Sequence, residues 1–228
     1  MAAQLSPEEL EALRKITTPT VSNAIETFNV RPRNEGFMDS SVRCILPELG
    51  TMVGYACTAT IRAREQEASP PPWDMWEAVR RVPEPRVVVI QDLDAPQPVG
   101  SFWGEVNGNT YKALGCVGTV TNGGVRDLDE VRELGFHFFA SCVLVSHAYV
   151  HLVDIGVPVQ VGGITVKPGD LIHGDQHGVL VIPPEIARDI PKAAAEVERR
   201  ERRIIALCQS PDFSPEKLRE LYMQLARR

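Results

Sequence analysis

Apolar positions along the 228-residue chain fall into two rhythms, and the places where the rhythm changes mark its elements. Near the start the spacing is helical. Ser6-Pro7-Glu8-Glu9 opens a helix: serine can cap, proline suits the first turn, and Glu9 completes a capping box. That helix should run to about Lys15, and Thr18-Pro19 breaks it. Val21, Ala24, Ile25 and Phe28 then recur on one helical face, so a second helix is expected over 20–28. Residues 29–50 are turn-rich. Residues 51–62 are small and β-branched and read as a strand. Ser69-Pro70-Pro71-Pro72-Trp73 is a stiff connector, and Asp74 can cap a short helix through Arg81.

The middle of the chain changes rhythm. Arg86-Val87-Val88-Val89-Ile90 is continuously apolar, as a parallel strand buried on both faces would be. A loop is expected over 91–103, then a helix over 105–114 stopped by Gly115, a strand over 116–121, a helix over 127–134 stopped by Gly135, and a strand over 136–140. Strands and helices alternating through short loops predict a parallel βαβαβ unit. Short strands over 157–161, 164–166, 170–172 and 178–182, separated by glycine-containing turns, predict hairpins or a small β-layer. Residues from Glu185 to about Cys208 form a long charged helix with a kink expected at Pro191. Ser214-Pro215 opens a last short helix. The expected organisation is an α/β domain over 1–184 and a helical extension over 185–228, packed on it or on a neighbouring subunit.

Composition narrows the function. At 43% hydrophobic residues the chain can bury a sizeable core. A net charge of −6 weighs against nucleic acid as a partner. The five cysteines form no CxxC pair and read as free thiols in a reducing compartment. The first 15 residues lack the apolar core of a secretory signal, and no apolar run reaches the roughly 18 residues of a membrane span. A cytoplasmic protein with no membrane partner is expected.

The candidate chemistry lies between Gly104 and Asp127. Ligands of parallel α/β units sit beyond the carboxyl ends of the strands. Two helix starts, after Gly104 and at Asp127, share that edge and should converge on one crevice. The first would offer the N–H groups of Glu105, Val106 and Asn107 to a carboxylate, with Gly104 letting the backbone approach. At the second, Arg126 offers paired donors to a carboxylate or enolate, and Asp127 is a hard ligand for Mg²⁺. The bland alternative stands beside this one. Asp127 followed by Glu130 is also a good capping box, and Arg126 could be an ordinary surface arginine. His147 and His151, four apart, could meet on a helix.

Gly104-Glu105, Gly118 and Asn122-Gly123-Gly124-Val125-Arg126-Asp127 together resemble the signature of the RraA-like family. Thr20-Val21-Ser22-Asn23-Ala24, Pro168-Gly169-Asp170, Asp175 and Gly178-Val179 extend the resemblance over roughly residues 17–185. It implies a compact α/β fold like the swivelling phosphohistidine domain, assembled as homotrimers or homohexamers with sites at subunit interfaces. It also implies class II pyruvate aldolases acting on 4-hydroxy-4-methyl-2-oxoglutarate or 4-carboxy-4-hydroxy-2-oxoadipate. Arg126 then matches the substrate-binding and catalytic arginine, and Asp127 the ligand of Mg²⁺ or Mn²⁺. Glu105 falls at an acidic position near the metal, and Val106 and Asn107 match the amides that hold the pyruvate carboxylate. The expected substrate is a small anionic 2-oxo acid, with oxaloacetate decarboxylation through the same enolate. The alternative is a non-catalytic regulator that binds a ribonuclease or helicase. A methyltransferase-like role finds no glycine-rich nucleotide loop to support it. Asn23 and Asn122 stand where aspartate is common in the family. His173 and His177, around Asp175, also depart from its pattern, and His147 and His151 lie in a segment that fits no family motif.

Overall fold

The computed structural model describes residues 4–94 and 96–226. Met1–Ala3 of the polar N-terminus, residue 95 of the loop expected over 91–103, and the last two residues lie outside them. Helix α1 (Pro7–Arg14) starts as its capping box dictates: Ser6 Oγ accepts from Glu9 N at 3.2 Å and Glu9 Oε2 from Ser6 N at 2.7 Å. Helix α2 (Thr18–Glu26) begins two residues before the expected position. Thr17 is its cap and Pro19 sits in its first turn, so Thr18-Pro19 opens this helix as well as ending the previous one. A two-residue strand β1 (Arg43–Cys44) and a 3₁₀ turn (Pro47–Leu49) interrupt the turn-rich stretch. Strand β2 (Met52–Arg62) leads through helix α3 (Pro72–Arg80) to strand β3 (Arg86–Asp92). Asp74 lies inside the first turn of α3, and Pro71 holds the cap position.

The expected loop over 91–103 is shorter than its sequence suggests, because β3 continues to Asp92 and a short strand β4 (Ser101–Trp103) precedes helix α4 (Glu105–Ala113). Then follow β5 (Cys116–Thr121), β6 (Gly124–Val125), α5 (Leu128–Leu134), β7 (His137–Ala140) and β8 (Cys142–Val143). Strands β9 (His151–Ile155), β10 (Val159–Val161), β11 (Ile164–Val166), β12 (Leu171–Asp175) and β13 (Gly178–Ile182) complete the sheets. Helices α6 (Ile190–Cys208) and α7 (Pro215–Ala226) end the described chain.

The expected parallel unit is present. Strands β2, β3, β5 and β7 lie side by side and parallel, with α3, α4 and α5 in the connections. The expected hairpins are present as β10–β11 and β12–β13, and the second joins the main sheet antiparallel, next to the first half of β2. The second half of β2 carries β9 along the same edge. Among the strands of that region only the β10–β11 hairpin stands outside the main sheet. A further short sheet, β4-β6-β8, binds the two site loops to each other.

Both faces of the sheet are covered, which accounts for the unbroken apolar run of β3. Val88 and Ile90 pack with Trp103, Tyr111, Phe136 and Phe138 on one face. Val87 and Val89 pack with Phe139 and the β10–β11 hairpin on the other. A third cluster seats α1, α2 and α6 against β12 and β13 through Leu13, Val21, Ile25, Leu180 and Ile190. Pro191 lies in the first turn of α6, where its missing N–H costs nothing, so the expected kink is absent. All five cysteines are free; burial pushes the Cys57 and Cys116 thiols up to about 12. No helix among the described residues is long and apolar enough to cross a membrane.

Candidate active site

The two helix starts meet. Glu105 N–H, the first of α4, donates to Asp127 Oδ2 at 2.9 Å. Asp127 therefore caps α4 from the far side of β5 and makes no side-chain capping bond to α5, the helix it precedes. This overturns the capping-box alternative for Asp127 and Glu130. The cause is visible in the backbone: Asp127 has φ 55°, the left-handed region, which turns its side chain away from its own helix. A non-glycine residue rarely sits there, and aspartate is among the few that do so readily. The neighbouring strands fix this geometry, since β6 pairs with β4 and Arg126 N–H donates to Trp103 O at 3.1 Å.

Arg126 Nε lies 3.7 Å from Asp127 Oδ2, and both side chains keep about a third of their surface exposed (36% and 34%). Gly104 is required by this contact. A Cβ there would come within 2.4 Å of Asp127 Oδ2 and 3.1 Å of Arg126 Nε. Helix geometry leaves the N–H groups of Val106 and Asn107 without intrahelical partners. Val106 is 78% exposed, and Asn107 Nδ2 ties the helix start to Phe102 O at 2.6 Å. Gly104, the start of α4 at Glu105, Arg126 and Asp127 thus meet at one edge. Lys112 does not join them; its ammonium bonds the Leu134 carbonyl at the far end of α5.

Among the described residues no three His, Cys, Asp or Glu side chains are grouped to hold an ion. Mg²⁺ asks for less: one or two carboxylates, with water and substrate oxygens in the remaining positions. Asp127, half-capped and partly exposed, fits that demand, with Glu105 in the adjoining helical turn.

The turn before Arg126 is braced by residues whose part was not legible in sequence. Asn122 Oδ1 accepts from Asp92 N at 2.8 Å, and Asn122 Nδ2 donates to Asp92 O at 2.9 Å. An amide does both and an ionised carboxylate cannot, which suits asparagine at a position where aspartate is common in the family. Asp92 itself ends β3, is 3% exposed, and has an Oδ2 with no partner. Burial raises its carboxyl to about 6, against the Asp94 N–H that donates to Oδ1 at 2.9 Å and the weaker pull of Arg64 and Arg62. A Cβ on Gly123 would lie 3.1 Å from that same oxygen. The continuous apolar run before Asp92, ending in a lone acid, was the available signal.

The histidines divide. His173 is fully buried. Its Nε2 faces Leu13 O at 3.1 Å and must donate, so Nδ1 accepts from Thr18 Oγ1 at 3.0 Å. His177 Nδ1 donates to Asp175 Oδ1 at 3.0 Å. Both brace α2 against β12. His147 and His151 share no helix: Ala148 between them has φ 46°, and the register Arg62↔His151 draws the second into β9. His147 is left exposed with Nδ1 on the adjacent Ala148 carbonyl at 2.7 Å.

Residues 18–181 match the RraA-like family model, described as Aldolase/RraA. A protein of Halalkalibacterium halodurans named "Putative 4-hydroxy-4-methyl-2-oxoglutarate aldolase" is 36% identical over 98 residues, 41% of this chain and 47% of that one. Protein DlpA of Legionella pneumophila is 28% identical over 55% of this chain and 20% of its own length. The chain thus spans from a fifth to about half of these relatives. Among solved structures, an uncharacterized Pseudomonas syringae protein superposes with a TM-score of 0.74 at 24% identity, covering 98% and 97% of the two chains. Streptomyces coelicolor RraAS2, described as an unusual member of the RNase ES inhibitor RraA family, gives 0.69 at 24% identity over 87% and 97%. At such identities these two attest the fold alone. With the family model covering most of the length, this chain belongs to the RraA-like, Aldolase/RraA family.

Proposed function

We propose that the chain is a divalent-metal-dependent aldolase that cleaves a 4-hydroxy-2-oxo acid to pyruvate and a second carbonyl compound. The observation that carries this reading is the side-chain bridge from Asp127 to the start of α4. It leaves a cation, a carboxylate and a helix N-terminus on one open edge. The N–H groups of Val106 and Asn107 take the pyruvyl carboxylate, favoured by the helix dipole. Asp127, with Glu105 nearby, holds Mg²⁺ or Mn²⁺, which supplies a Lewis acid for the 2-oxo group when bound. A water accepts the 4-hydroxyl proton, the C4–O bond becomes the carbonyl of the second product, and the breaking C3–C4 bond leaves its electron pair in an enolate, whose oxygen Arg126 stabilises. Glu105, exposed in the first turn of α4, is placed to return a proton to C3, which completes pyruvate. Loss of CO₂ from oxaloacetate passes through the same enolate, so that decarboxylation accompanies it. Assembly as a trimer or hexamer belongs to the same reading.

The second reading is a non-catalytic regulator of a ribonuclease or helicase, in line with the family named for the Streptomyces neighbour. It predicts binding without turnover. Incubation with oxaloacetate and with a 4-hydroxy-2-oxo diacid, with and without Mg²⁺, decides between them by following pyruvate. No metal-dependent release, or full activity in Asp127→Asn, rejects the aldolase.

A further inference from the structure

A polar pocket of about 140 Å³ opens beside the end of β2, lined by Arg62, Arg64, Glu65, Glu67, Asp94 and His151. His151 is the unusual member. Its side chain is only 6% exposed. Nδ1 faces the Tyr149 carbonyl at 2.9 Å, an oxygen that can only accept. Nδ1 therefore carries the hydrogen, and in the neutral ring Nε2 presents a lone pair. That Nε2 is buried without a hydrogen-bond partner. A buried acceptor left so costs free energy that an incoming donor would recover. The Glu67 carboxylate stands 3.7 Å away and has no hydrogen to give when ionised. Its side chain is 55% exposed and can move outward to admit a donor between itself and the ring.

The donor that suits this place is positively charged. The lining sets two cations against three carboxylates. One of each is already engaged: Arg64 Nη2 donates to Gln97 O at 2.8 Å, and Asp94 Oδ2 accepts from Ala63 N at 2.8 Å. Glu65, Glu67 and Arg62 remain. An ammonium has N–H groups enough to satisfy Nε2 and Glu67 together. A metal ion is served less well, because among the described residues no third His, Cys, Asp or Glu is grouped with these two. Arg62 makes the opposite demand. It stands directly across from His151 in the β2–β9 pairing, so the two side chains leave the sheet on the same face. Arg62 is exposed and, among the described residues, makes no hydrogen bond or ion pair. Its paired donors are open to a carboxylate.

We propose that this pocket binds a small zwitterion, an α-amino acid, with its ammonium between His151 Nε2 and Glu67 and its carboxylate on Arg62. A volume of about 140 Å³ suits glycine, alanine or serine and not a long side chain. The site is separate from the retro-aldol reading and stands whichever way that reading is decided.

The His151 imidazole, identified by the loss of its resonances in His151→Gln, is followed by NMR while glycine, L-serine, acetate and methylammonium are added in turn. Glycine or L-serine should shift it, with a Kd at least about tenfold below those of acetate and methylammonium, which each carry one of the two charges. Arg62→Gln and Glu67→Gln change exposed side chains and should each weaken amino-acid binding at least about fivefold. Asp127→Asn should leave it unchanged. If His151→Gln does not fold, calorimetry with the same four probes on the wild type and the two exposed variants decides by the same ratios. No binding of either amino acid up to about 50 mM, equal affinity for the singly charged probes, or full binding in both glutamine variants overturns the proposal. Loss of binding in Asp127→Asn overturns it too, because it would tie the pocket to the Arg126–Asp127 site.

Discussion

Asp175 and Asp127 each set a carboxylate on the N-terminus of a helix remote in sequence, and they do so in opposite ways. Asp175 accepts from Thr18 N, the first N–H of α2, at 2.9 Å, and from His177 N and Nδ1 at 2.8 and 3.0 Å. Its side chain is 8% exposed. Burial alone would raise its pKa, but the N–H groups of Thr18 and His177 outweigh burial and hold it below the ordinary range. Asp127 makes one such bond, sits on left-handed backbone, and keeps a third of its side chain open. The first carboxylate has turned its lone pairs inward and serves the fold. The second has capacity left for something outside the chain. Asp92 is a third case, buried like Asp175 but with an oxygen unsatisfied.

The largest expected effect is on turnover. Asn keeps the left-handed tolerance at residue 127 while removing the charge, so Asp127→Asn should fold like the wild type. It and Arg126→Ala should each raise the barrier by about 2.7–4 kcal/mol in pyruvate-release assays. Asp175→Asn is the counterpart. It should lower unfolding free energy by about 1.5–3 kcal/mol in urea titrations with little change in turnover of the folded fraction. The folded pKa of Asp175 is depressed, so its contribution is present above the unfolded value of about 3.8 and fades as pH falls through the folded one. The variant should therefore match the wild type best in strong acid.

Asp92→Asn should act with the opposite sign. The Asp92 carboxyl titrates near 6 in the fold against 3.8 otherwise. Below about 3.8 both states are protonated and the aspartate carries no penalty. The penalty grows up to about 6 and is constant above. The asparagine variant should gain about 1–3 kcal/mol over the wild type at pH 8 and little at pH 3.5, by denaturant unfolding at both values. The smallest effect is at Asn122. Asn122→Asp removes the donor to Asp92 O and brings a second acid beside Asp92. A loss of about 0.5–1.5 kcal/mol in thermal unfolding is expected, with a matching loosening of the Arg126 turn seen in amide exchange.

Much of the scaffold was legible because it is local. Ser6 and Glu9 close a capping box within one turn, and Gly115 and Gly135 end their helices with φ of 77° and 69°. The run at Val87–Ile90 reads as a doubly buried strand because its side chains alternate between two faces that both must be apolar. Where the chain departed from expectation, the deciding partner was distant. The strand expected over 170–172 runs on to Asp175, because α1 and α2 supply partners for the buried His173 and Asp175. His147 and His151 had helical spacing, but pairing with Arg62 made the second a strand residue.

The sequence by itself determined the capped start of α1, the glycine stops of α4 and α5, the main parallel strands, and that an arginine and an aspartate stand together after a glycine turn. Those outcomes depend on sterics and hydrogen bonds within a few residues. Tertiary structure alone decided that Asp127 caps α4 and not α5, that Asn122 clamps the end of β3, and that His151 is buried at a pocket. A polar side chain with several possible partners is assigned one by strand register and burial, and those are properties of the assembled sheet.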